Sequence, residues 1–143
     1  MQRLLLTIFS VASIALAPNV VRSQGREYQP PAVLLERLKQ LAGPSAVDCG
    51  VANSFAQTED GTLCMKAAHE SMRPFYFVQA SERDGADQWK GWVRASDSRV
   101  FIMWVPGQSP NAETPYELEC IGFEAGFGAH GIAEAVCPMK RLP

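Results

Sequence analysis

Histidine is scarce in this chain, with two residues in 143, and neither sits in a recognisable catalytic motif. There is no G-x-S-x-G, no H-E-x-x-H and no paired-carboxylate signature, so the sequence carries no framework for a serine hydrolase, a zinc protease or a glycosidase. No C-x-x-C occurs and no Cys/His pair stands at zinc spacing, so no metal is expected. The glycine-rich stretch G-F-E-A-G-F-G lacks the G-x-G-x-x-G spacing and leads into no helix. With no Gly-Lys-Ser/Thr either, neither a dinucleotide nor a nucleoside triphosphate is indicated, and no cofactor is expected. Basic residues are not in excess: 13 Lys and Arg stand against 15 Asp and Glu. A nucleic-acid binder ordinarily shows a basic face, so nucleic acid is not an expected partner. No internal repeat is visible.

What is present points first to export. Met1-Gln2-Arg3 carries positive charge, Leu4 to Ala17 is uncharged and largely apolar, and Val21 and Ser23 stand at the small-residue positions before Gln24. This is the pattern of a secretory signal over residues 1–23. The apolar run is shorter than the roughly 20 residues that a membrane helix needs. No cysteine adjoins the cut, so no lipid anchor is indicated. The folded part is then a single small domain over residues 24–143, periplasmic or secreted, with no membrane span after cleavage. Losing Arg3 and Arg22 leaves 11 basic against 15 acidic residues, a net charge of −4.

All four cysteines lie beyond the signal. An even count in an exported chain reads as two disulfides, and four cysteines allow three connectivities. Local pairing, Cys49–Cys64 and Cys120–Cys137, is the preferred one, because each bridge closes a short loop. A loop of about 15 residues contributes on the order of 3 kcal/mol through the unfolded state.

Periodicity supplies the elements. Pro30-Pro31 opens a helix, AVLLERLKQLAG, with Leu34, Leu35, Leu38, Leu41 and Ala42 on one stripe; Gly43-Pro44 ends it. Ser45 to Gly61 reads as loop, with Ser45 to Asp48 as a capping box for one helical turn and Glu59-Asp60-Gly61 as a turn. Thr62 caps a second, shorter helix that Arg73-Pro74 stops. Three strands follow: Phe75 to Ala80, Gln88 to Ala95 and Arg99 to Val105. The outer two are apolar on both sides. The middle one alternates, Trp89, Gly91 and Val93 against Lys90, Trp92 and Arg94. Tyr116 to Ile121 reads as a strand nearer the edge, and Ile132 to Cys137 as a fifth. The expected fold is α+β: two helices packed on one face of a four- to five-stranded antiparallel β-meander, with two disulfides.

Two features are candidate ligand-binding surfaces. The glycine-rich loop from Gly122 to Gly131 presents Phe123, Phe127 and His130 between two cysteines, so a bridge would pin its base and leave its tip adaptable. The face with Lys90, Trp92 and Arg94 sets a tryptophan between two cations, which suits stacking on a sugar or base or meeting an anionic surface. The expected function is that of an exported, disulfide-stapled, non-catalytic module that binds a protein or envelope ligand, inhibitor-like or accessory. The alternatives are a small secreted hydrolase using His69, Glu70 or His130, and a structural envelope-associated protein.

Overall fold

The computed structural model describes residues 29–83, 86–106, 114–128 and 131–139. Residues 1–23, where the export signal is expected, and His130 lie outside them. Its elements are α1 (Ala32–Ala42), β1 (Val47–Ala52), α2 (Phe55–Glu70), β2 (Phe75–Arg83), β3 (Ala86–Arg94), β4 (Val100–Pro106), β5 (Tyr116–Glu119), β6 (Glu124–Phe127) and β7 (Ala133–Val136). The α+β class holds. Strands β1 to β5 form one sheet in sequence order, and β6 and β7 form a separate two-stranded sheet.

The sheet is mixed, which corrects the expected meander. Strand β1 pairs with β2 in parallel, while β2 to β5 pair antiparallel. Its sequence, VDCGVA, hides the strand behind a bulge. The register shifts between Asp48 and Val51, Gly50 takes φ 86°, and the Asp48 carboxylate accepts from the Gly50 N–H at 2.9 Å. A positive φ suits glycine because it has no Cβ. The D-C-G run is thus a bulge inside a strand, not the end of a helical turn.

The second helix is also longer than expected. It starts at Ser54, whose side chain accepts from the Gln57 N–H, while the Gln57 side chain accepts from Asn53 N–H at 2.9 Å. This is a variant of the capping box in which Gln57 reaches the N–H one residue before the cap. Glu59-Asp60-Gly61 therefore lies within α2. Gly61 is there for packing: a Cβ on it would run into the Phe77 ring.

The two helices lie on opposite faces of the sheet, not on one. Leu34, Leu38 and Ala42 of α1 pack with Tyr76, Val78, Trp89, Val93, Phe101 and Met103. Met65 and Ala68 of α2 pack with Phe75, Phe77, Trp92 and Ile102, the alternate residues of the same strands. Gly91 lets α1 come close, since a Cβ there would lie 2.8 Å from Leu38 Cδ1. The β6–β7 hairpin joins α2 as the second covering layer, bringing Phe123, Ala135 and Cys137 onto that core. Both disulfides pair as expected. Cys49–Cys64 ties α2 to β1, and Cys120–Cys137 ties the two ends of the hairpin segment together.

Candidate functional site

Two places on the α2 side gather polar and aromatic groups. The first is buried. Arg94 ends β3 beneath the last turn of α2 and is only 4% exposed. Its Nη1 donates to His69 Nδ1 at 2.9 Å, and its Nη2 to Met72 Sδ at 3.7 Å. The Nε has no partner, nor does Trp92 Nε1 beside it on the same strand face. Among the described residues, no carboxylate pairs with this guanidinium. Such burial of a charge without a counter-ion is costly and uncommon. Since arginine only donates, His69 Nδ1 must be the bare nitrogen and Nε2 must carry the proton. Burial pushes the His69 pKa down, Arg94 pushes it further, and Glu70 partly opposes them.

Phe123 closes this cluster from the hairpin. Its ring lies 4.9 Å from His69 and 6.0 Å from Trp92, edge-on to both, and 5.5 Å from Phe75. Met72 follows the helix with φ 59°, and Arg73 N–H donates back to Ala68 O at 2.9 Å. That backbone bend is usually taken by glycine.

The second place is open. Where β1 ends and α2 begins, a cleft of about 390 Å³ is lined by Asn53, Ser54, Phe55, Thr58, Glu59, Gln79 and Ala80, with Ile132 and Ala133 from the hairpin. Phe55 is 64% exposed and Ile132 50%, so two large apolar side chains stand at it without being buried. The cleft lies by the last pairing of the parallel strands, Ala52 with Gln79.

The residues singled out from sequence do not form one site. Trp92, Arg94 and Phe123 come together, but on the covered face, so Trp92 and Arg94 are not available to stack on a sugar or meet an anionic surface in this arrangement. Lys90 shares their face half-buried, its Nζ 5.9 Å from the Trp92 ring centroid. Phe127 ends β6 and is 56% exposed, away from Phe123. The glycine-rich stretch is not a loose tip throughout: Glu124–Phe127 pairs with Ala133–Val136. His69 is engaged with Arg94, and Glu70 forms an ion pair with Lys66 one turn earlier.

Compared with protein-family models, curated proteins and solved structures, the chain matches none. Sequence reasoning missed the cleft because it missed both β1 and the start of α2. The signal was present in S-F-A-Q, Ser54 to Gln57, a capping box that the neighbouring E-D-G run overshadowed.

Proposed function

We propose that this chain is an exported, non-catalytic binding module, and that it holds a protein partner through the cleft between the start of α2 and the hairpin. The observation that carries the reading is the exposure of Phe55 and Ile132 at a concave, partly polar surface. Large apolar groups held at a concavity are the usual material of recognition, and polar groups beside them fix orientation. The cleft has room for one or two large side chains of a partner, with Asn53, Thr58 and Gln79 as hydrogen-bonding groups. Two disulfides fit a chain that works in an oxidising compartment. No helix among the described residues is long and apolar enough to cross a membrane.

The test compares residues 24–143 with the Phe55→Ser/Ile132→Ser variant, both immobilised and challenged with cell-envelope protein extract. Circular dichroism verifies that the variant keeps its fold. Loss of a species that the unaltered chain retains supports the cleft. Identical retention by the two proteins rejects it.

A further inference from the structure

We infer that His69 and Arg94 form an acid-sensitive latch that holds the last turn of α2 and the start of the hairpin against the sheet. The geometry is specific. Arg94 is buried, and the nitrogen acceptor it finds is His69 Nδ1, with the Met72 sulfur as the weaker one. A protonated imidazole has two N–H donors and no acceptor. Protonation would therefore turn the 2.9 Å contact into donor against donor and place a second cation, on a half-buried ring, against the buried guanidinium.

The surroundings do little to relieve this. From its own helix, His69 feels Glu70, whose side chain is largely exposed and already pairs with Lys66. From β3 it feels Arg94. The neighbouring β2 and hairpin place Phe75 and Phe123 at the cluster, and neither titrates. The lowered His69 pKa agrees with the geometry.

The latch opens locally, not globally, because the disulfides limit it. Cys49–Cys64 fastens α2 to β1 ahead of His69, and Cys120–Cys137 closes the hairpin segment below Phe123. What is left to move is the turn from Ala67 to Arg73 and the Phe123 ring. Their movement would uncover Trp92 and Arg94, the cationic-aromatic face that is hidden at neutral pH.

The sign follows from linkage. His69 has a lower pKa folded than unfolded, so the unfolded chain binds the proton first as pH falls. Stability is present above the ordinary histidine value of about 6.5 and is lost as pH falls from there through the folded value. One proton taken up on opening multiplies the opening equilibrium by up to about tenfold per pH unit in that window.

The experiment measures urea unfolding and amide exchange of residues 24–143 from pH 7.5 to pH 5, with disulfides intact, in the unaltered chain, His69→Gln and His130→Gln. Glutamine keeps an acceptor for Arg94 and does not titrate. The expected result is that the unaltered chain and His130→Gln lose stability and amide protection around Arg94 over that range, while His69→Gln holds both. Equal slopes in all three proteins, or a slope that follows His130, overturn the latch. If His69→Gln does not fold, an NMR titration of His69 in the unaltered chain decides. A pKa below 6.5, accompanied by loss of protection at Ala67 to Arg73, supports the latch; a pKa at or above 6.5 overturns it.

Discussion

Gly61→Ala tests whether the α2 interface is packed as described, because ordinary helix propensity argues the opposite way. In an exposed helix interior, glycine to alanine gains about 1 kcal/mol. Gly61 is buried in the middle of α2, and a Cβ there would collide with three ring atoms of Phe77. The ring cannot turn outward, since Phe77 is 1% exposed and held with Met65, Phe75 and Trp92. Overpacking a tight core costs roughly 1–3 kcal/mol, and a clash with a fixed ring belongs at the upper end. Less the propensity gain, the variant should lose about 1–2 kcal/mol, a fall of about 4–8 °C in Tm for a domain of this size. Urea unfolding followed by circular dichroism should show a lower midpoint with an unchanged slope. Combining it with Phe77→Leu should recover at least about 0.5 kcal/mol relative to the summed single effects, as coupled neighbours do. A rise in Tm for Gly61→Ala alone would refute the packing of α2 on β2.

Three further outcomes can be read with the same purified protein. Phe123→Ala should cost about 2–3 kcal/mol, because its ring is part of the cluster with His69, Phe75 and Trp92, whereas Phe127→Ala should stay within about 0.5 kcal/mol; equal losses in denaturant would show that the hairpin is docked differently. Met72→Gly should gain up to about 1 kcal/mol, because the roughly 1–2 kcal/mol cost of a left-handed side-chain-bearing residue exceeds glycine's own entropic cost at this φ of 59°, and a loss would mean that the sulfur contact with Arg94 outweighs the backbone relief. Tyr76 should titrate late, since burial and its hydrogen bond to Asp48 push its pKa up to about 12. Stability should accordingly be lost as pH rises from about 10 through that value, and phenolate absorbance in which Tyr76→Phe removes no late-titrating group would contradict the assignment.

Much of the fold was legible in residue pattern. The stripe of α1, its proline start and its glycine stop at φ 81° all appear where periodicity places them. The alternation in QWKGWVR puts Trp89 and Val93 on one face of β3 and Trp92 and Arg94 on the other, as the two cores require. Both disulfides follow from spacing and topology. The failures cluster between Ser45 and Gly61. There a bulge breaks the period of β1, and a helix passes through Glu59-Asp60-Gly61 because a ring on another strand needs the missing Cβ. That partner is 16 residues away in sequence and cannot be read locally.

The placement of the helices was, by contrast, within reach. Strands β2 and β4 carry Phe75, Phe77 and Ile102 on one side and Tyr76, Val78, Phe101 and Met103 on the other. A strand apolar on both faces needs a cover on both. Two helices on one face would have left Tyr76, Phe101 and Met103 against water, a loss of roughly 1.5–3 kcal/mol for each such side chain. One helix per face removes that loss, and the narrow α2 then needs the hairpin beside it to finish its layer. The consequence reaches Arg94. It sits on the face that α2 and the hairpin share, where a guanidinium can stay buried only if something accepts from it. His69 is in place to do so because α2 runs on to Glu70. The same topology that hides the cationic-aromatic face therefore makes its concealment depend on an imidazole that stays neutral.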